Sequence, residues 1–334
     1  MRRGGSPARL DRDDKGNHVS ATPIIDVHMH IYPSREYGLS RKSTYQVWEY
    51  GEKESTPFSR YGGDVEDALD AIRQSPVDRA VVVNLFAVSI ARANAIAEIP
   101  STLDQARKQQ AIAEIDARMG DRLKQSNYDA CDLARRHPQQ LIAFVSADPW
   151  ALDQEAGRAH LRDLVTHRGA RGIKLHPVLQ QFDTSDPRMF PIYETCVDLD
   201  IPIVAHSGPS RSGPQFAEPR AFAGMLRAFP RLRVVLAHLG GGAWRQAAEI
   251  ARGFPNAYFD CCEILAWIGA SNAPDERQFA QLITEVGTDR VMLGSDFPWY
   301  DLGYSVERIM SLPLLSQEEK TAILGGNAVR VLRV

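Results

Sequence analysis

In the stretch "IDVHMH", Asp26, His28 and His30 alternate with Ile25, Val27 and Met29. Side chains of an extended strand point alternately to its two faces, so this spacing predicts one polar row and one apolar row. Polar residues also end other apolar runs: Lys174 and His176 in "GIKLHP", His206 in "IPIVAHS", His238 in "LRVVLAH" and Asp296 in "DRVMLGSD". Alternation puts Lys174 and His176 opposite Ile173 and Leu175, and gives His206 the parity of Val204, His238 that of Leu236 and Asp296 that of Met292. Five of the nine histidines therefore stand at strand ends, while His18, His137, His160 and His167 fall in the N-terminal tail or in helical stretches. A single buried histidine reads as a core residue bonded to a carbonyl. Five of them with a carboxylate and a lysine need a chemical explanation.

Imidazole and carboxylate donors suit borderline and hard divalent cations, and a His-x-His pair supplies two nitrogens from one side. Zinc, as one ion or two, is the first expectation. A structural zinc site would be closed and usually rich in cysteine. Cys131, Cys196, Cys261 and Cys262 show no CxxC spacing, and none is expected on the face of the ligands, so the pattern points to an open, catalytic site.

Positioning these groups requires strands whose carboxyl ends meet. "LIAFVSA", "ARGIKLH", "IPIVAHS", "LRVVLAH", "NAYFDCC" and "DRVMLGSD" read as buried strands, and "IIDVHMH" and "RAVVVNLF" upstream bring the total to eight. Helical stretches separate them, such as "DPRMFPIYETCVDLD" and "PDERQFAQLITEVG", the latter opened by Pro274 and Asp275 and closed by Gly287. This βα repeat predicts an α/β fold, a (β/α)8 TIM barrel, which gathers all strand ends at one mouth. An open doubly wound sheet is the competitor, but no GxGxxG follows a strand. Insertions follow strands 1 and 2: residues 31–63, rich in tyrosine, as a lid or pocket wall, and 86–120 as a helical insertion. At the end of the chain, Gly325 and Gly326 are expected to close one helix and Asn327 to cap the next.

With 44% hydrophobic and 24% charged residues and a formal net charge of −3, the composition is that of an average globular protein. It gives no reason to expect nucleic acid or a membrane as partner, and no apolar run approaches the roughly 18 residues of a membrane helix. Residues 1–22 lack the apolar stretch of a signal peptide and are expected to be a flexible tail, leaving 23–334 as one domain. Four unpatterned cysteines fit a reducing, cytoplasmic setting.

His28-x-His30, Lys174, His206, His238 and Asp296, in this strand order, resemble the metal site of the amidohydrolase superfamily, and the resemblance runs from about residue 23 to the end. "HSGP", "AHLGG", "LGSDFPW" and "ILGGNAVRVL" are similar to the branch that holds aminocarboxymuconate semialdehyde decarboxylase and related hydrolases. The resemblance implies that His28, His30 and Asp296 hold a first metal, with His206 completing a mononuclear site or helping to hold a second ion. Asp296 would move the proton of a metal-activated water, and His238 would polarise the substrate or act as a further ligand. Lys174 would be a carbamylated bridge between two metals, or an unmodified amine facing a substrate carboxylate or a nearby acid.

His176 is expected to touch substrate or to serve structure, and Asp26 to orient a ligand or bond neighbouring backbone. Arg211 and Arg220 are candidates to clamp an anionic substrate, and Trp299, Tyr300 and Glu263 to line the rim. The first functional expectation is a metal-dependent hydrolase of an amide, ester or lactone, towards which Lys174 tilts the reading. The alternative is a metal-dependent non-oxidative decarboxylase or hydratase of a small carboxylic acid, and a non-catalytic binding protein is a third possibility disfavoured by the complete ligand set. A small-molecule substrate, possibly carboxylate-bearing, and, by resemblance, a homodimer are the expected partners.

Overall fold

The computed structural model describes residues 22–42, 47–55 and 57–334. The tail expected at residues 1–22 therefore lies outside the described residues except for Thr22, as does a short part of the first insertion. Eight strands, β1 (Ile25–Met29), β2 (Arg79–Val83), β3 (Leu141–Ser146), β4 (Gly172–Leu175), β5 (Ile203–Ala205), β6 (Val234–Leu236), β7 (Ala257–Asp260) and β8 (Val291–Met292), pair in sequence order, all parallel. The seam between the last and first strands is closed by Val27 N–H to Leu293 O at 2.9 Å, Asp296 N–H to His28 O at 2.9 Å and His30 N–H to Phe297 O at 2.7 Å. This is the expected TIM barrel.

Alternation divides the strands into two apolar sets. Ala80, Val82, Ala143, Val145, Ile173, Leu175, Ile203 and Ala205 pack outward under the helices. Val81, Val83, Ile142, Phe144, Val204, Val235 and Met292 fill the interior. Phe144 needs Gly172 beside it, because a Cβ on that glycine would lie 2.4 Å from its ring. Lys174 and His206 follow the interior positions Gly172 and Val204 by two residues, so they stand above this apolar floor and face the mouth.

The single polar row expected in β1 is corrected by a bulge. Asp26 pairs with Ala80 and Met29 with Val82, so an advance from 26 to 29 on β1 matches one from 80 to 82 on β2. One extra residue resets the parity. Val27 joins the interior set and Met29 the outer one, while Asp26 takes the register of outward-facing Ala80. The Asp26 carboxylate accepts hydrogen bonds from His28 N–H at 2.9 Å, from Ser295 N–H at 3.0 Å and from the Ser295 hydroxyl.

The first insertion carries α1 (Arg35–Arg41), α2 (Val47–Tyr50) and α3 (Val65–Arg73), and the second carries α4 (Val88–Ala97), α5 (Gln105–Ala117) and α6 (Met119–Arg136). The helix Glu276–Val286 starts after Pro274 and Asp275, as expected, and the structure adds a capping box between Asp275 and Gln278. Near the C-terminus the expected break is absent. Ala322–Gly326 forms a π-helical turn that runs on into Asn327–Leu332, and the Asn327 amide donates to Thr288 O and Val291 O instead of capping. Gly325 is required by close approach, since a Cβ there would lie 1.7 Å from Pro23 O. All four cysteines are free and buried. Among the described residues no helix is long and apolar enough to cross a membrane.

Because the Gly172–Phe144 contact supports the floor of the site, Gly172→Ala overpacks the interior and is expected to cost about 1–3 kcal/mol. The urea midpoint should fall accordingly, and an unchanged midpoint would contradict this packing.

Candidate metal centre

His28 is the best determined member of the site. Its Nδ1 lies 2.9 Å from Asp260 Oδ2, and both side chains are fully buried. Burial holds the imidazole down at about 4, with the Lys174 amine adding to the effect. Asp260 is held at about 2 against its own burial by the histidine beside it. At neutral pH the pair is thus a carboxylate accepting a hydrogen bond from a neutral ring. That bond fixes the proton on Nδ1 and leaves the Nε2 lone pair facing the mouth.

Two further groups surround that nitrogen. Asp296 Oδ1 lies 3.7 Å from His28 Nε2 and 3.2 Å from His30 Nε2. Burial would raise the Asp296 carboxyl, but the hydrogen bond from His30 and the neighbouring imidazoles hold it well below the ordinary carboxylate range. His30 keeps 20% of its side chain exposed, so the open side of the group lies there. The Lys174 amine sits 2.9 Å from His28 Nε2 and is fully buried. Burial lowers its pKa, and the acids nearby oppose that only in part.

His206 and His238 form a second layer. His206 Nδ1 is 3.0 Å from His238 Nε2, and the His206 ring stacks on His176 at 3.9 Å between centroids. Burial lowers the pKa of all three, so they are neutral bases at physiological pH. The expected parity of His238 with Leu236 is corrected, because Leu236 packs outward. His238 reaches the interior through left-handed backbone, φ 61°, and its N–H is anchored on Asp260 Oδ1 at 2.9 Å. Asp296 likewise sits at φ 61° rather than continuing β8.

Among the described residues, two donor groups have ligand atoms mutually within 4.8 Å: His28, His30 and Asp296, and His28, His238 and Cys262. The first fits a divalent cation. Its donors are two imidazole nitrogens and a carboxylate, one histidine is oriented from behind, and one side is open. The second is less suited, because its contact to Cys262 Sγ, at 3.2 Å, runs through the same Nδ1 that Asp260 engages. Cys262 lies 3.0 Å from His238 Nδ1 and donates its S–H to Asp260 Oδ1. The thiol therefore does reach the site, contrary to the sequence expectation for the cysteines. His206 belongs to neither group.

The rim residues divide. Trp299 is half-buried with its ring 6.5 Å from that of Phe58, and the Tyr32 ring is parallel to that of His30 at 6.3 Å. Tyr300 is fully buried with its hydroxyl on the Trp267 indole N–H at 2.7 Å, which makes it part of the wall. Glu263 accepts from the Tyr50 hydroxyl at 2.9 Å. Arg211 is exposed after β5, and Arg220 is paired with Glu249 on the surface, so the structure offers no arginine clamp from Arg220. Sequence reasoning missed Asp260, Cys262 and Tyr32. An acid ending the otherwise apolar "AYFD" was the available signal for Asp260.

A sequence-family model described as amidohydrolase matches residues 25–334. The chain is 25% identical over 341 residues to 2-amino-3-carboxymuconate-6-semialdehyde decarboxylase of Dictyostelium discoideum, covering 92% of this chain and 91% of the relative. Its fold is similar to that of an uncharacterised TIM-barrel protein of Bordetella bronchiseptica, with TM-score 0.67, 20% identity and coverage of 93% and 98% of the two chains. It is also similar to a dihydroxybenzoic acid decarboxylase of Polaromonas, solved with bound manganese and the inhibitor 2-nitroresorcinol, with TM-score 0.61, 16% identity and coverage of 93% and 97%.

Asp260→Asn keeps the size of the side chain but removes the charge that fixes the His28 tautomer. Its affinity for Mn²⁺ or Zn²⁺, measured by titration of the metal-stripped protein, should fall by about 10–100-fold with the fold retained. Unchanged affinity would contradict the orienting role.

Proposed function

The chain belongs to the amidohydrolase family, and from that premise we propose that it is a metal-dependent, non-oxidative decarboxylase of a small carboxylic acid. The observation that carries this reading is the nearly end-to-end match to a relative named for decarboxylation. The order of the two sequence expectations is thereby reversed, and hydrolysis becomes the second reading.

The proposed ligands are His28, His30 and Asp296, with His206 available as a fourth donor. A divalent cation held there, zinc or manganese, would supply Lewis acidity toward the oxygens of an acidic substrate. The reaction breaks the bond between carbon and carboxylate, leaves the electron pair on carbon, replaces the lost group with a proton and releases carbon dioxide. Asp296, at the mouth beside His30, is the group we assign to carrying that proton. His238, anchored through its N–H on Asp260 and hydrogen-bonded to His206, orients the acid. His176 and Trp299 border the substrate space, whereas the burial of Tyr300 assigns it to support. Arg211 keeps only the role of a peripheral contact.

Lys174 favoured hydrolysis at the level of sequence because a carbamate at this position bridges two metals. We take the second reading for Lys174, an unmodified amine beside a one-ion site, in which it lies 2.9 Å from His28 Nε2 and faces a substrate carboxylate.

The test is to incubate protein loaded with Mn²⁺ or Zn²⁺ with a panel of hydroxybenzoic and unsaturated amino carboxylic acids, measuring carbon dioxide and the deuterium gained by the product in D₂O. Release of carbon dioxide with one deuterium at the vacated carbon is expected, as is a loss of about 100-fold or more in kcat for Asp296→Asn. Cleavage of amides, esters or lactones without carbon dioxide would favour the hydrolase. A metal content of one ion per chain, unchanged in Lys174→Met, is expected, and two ions falling to one would restore the carbamate-bridged reading.

A further inference from the structure

The segment from Val47 to Lys53 lies on loops that follow three neighbouring strands, β5, β6 and β7. Asn272 N–H donates to Tyr50 O at 2.8 Å, the Tyr50 ring stacks on Trp267 at 5.5 Å, and Lys53 Nζ donates to Ala266 O at 2.5 Å. These contacts tie it to the loop after β7. A tie to a different loop comes from Glu49, whose Oε1 accepts from Gly242 N–H at 2.6 Å.

Three glycines line the carboxyl. A Cβ on Gly241 would come 2.1 Å from Glu49 Oε1, one on Gly208 3.1 Å from the same oxygen, and one on Gly242 2.8 Å from Glu49 Cγ. Gly208 belongs to the loop after β5, and its Cβ position is 3.7 Å from His206 Nε2. Gly241 and Gly242 end the turn that begins with His238, in which His238, Leu239, Gly240 and Gly241 have φ of 61°, 49°, 88° and 55°. Such a run of left-handed residues persists only where its surroundings fix it, and Glu49 meets it at the end opposite to Asp260.

We propose that Glu49 is a positioning residue that pins α2 to the loops after β5 and β6 and fixes the turn presenting His238, through its seat on Gly208, Gly241 and Gly242. The lid is then part of the site's framework, and its third side chain holds a histidine contributed by β6. Burial raises the Glu49 carboxyl to about 7, with the Gly242 N–H opposing the shift. Either protonation state can accept that hydrogen bond, so it is the acceptor oxygen that matters. The inference holds whichever bond the site breaks, and its test needs no substrate.

The experiment compares full-length, Mn²⁺-free wild type with Glu49→Leu and Glu49→Gln. Hydrogen–deuterium exchange is read on peptides covering 47–53, 238–244 and the remote helix 276–286, and imidazole chemical shifts are read in protein labelled at histidine. Glu49→Leu should raise exchange by at least tenfold in the first two peptides together, leave the remote helix unchanged and move the His238 resonances. Glu49→Gln, which retains the acceptor, should restore both readouts toward wild type. If Glu49→Leu does not fold, Glu49→Asp, which withdraws the carboxyl by one methylene, is expected to raise exchange in the same two peptides. Unchanged exchange and shifts in the folded variant, or Glu49→Gln behaving like Glu49→Leu, would overturn the proposal.

Discussion

The hydrogen bond between Asp260 and His28 is the constraint on which the rest of the site depends. A carboxylate at the centre of a barrel is tolerable only if both oxygens are engaged. Oδ2 takes the His28 ring, and Oδ1 takes the His238 N–H and the Cys262 thiol. One acid thereby ties β1, β6 and β7 together and decides which nitrogen of His28 is available to a cation. Without it, His28 would lack a fixed tautomer, and His238 would lose the anchor of a strained backbone.

The same geometry explains why the donors collect at the seam between β8 and β1. Backbone bonds from Val27, His30 and Asp296 close the barrel there, and Asp26 clamps the first strand to Ser295 just before Asp296. The bulge in β1 frees Asp26 for this clamp while His28 still turns inward. Left-handed residues at His238 and Asp296 each cost about 1–2 kcal/mol, and they are held by bonds to Asp260 and to His28 O respectively. Barrel closure and the placement of the candidate metal ligands therefore rest on the same contacts.

Much of this was legible in the sequence, for identifiable reasons. The eight strands appear as apolar runs of regular spacing, and Lys174 and His206 follow from alternation because β4 and β5 are regular to their ends. Alternation no longer holds where the backbone leaves the strand. A bulge moved Asp26 out of the row of His28, and a left-handed turn brought in His238 although Leu236 faces the helices. Asp260 and Glu49 were missed for a different reason. A buried acid that supports a ligand carries no spacing motif, and a lid residue that reaches a glycine turn nearly two hundred positions away leaves no local trace. The choice of reaction was illegible because the same donors serve a metal-bound water and a carboxylate alike.

The central claim is that one cation is held by His28, His30 and Asp296 on the Nε2 side of His28. Anomalous-scattering crystallography on protein purified without chelator and loaded with Mn²⁺ tests it most directly. A single peak per chain is expected, bounded by those three side chains, with Asp260 still on His28 Nδ1. A peak between His238 and Cys262, or none in the barrel at all, would contradict it.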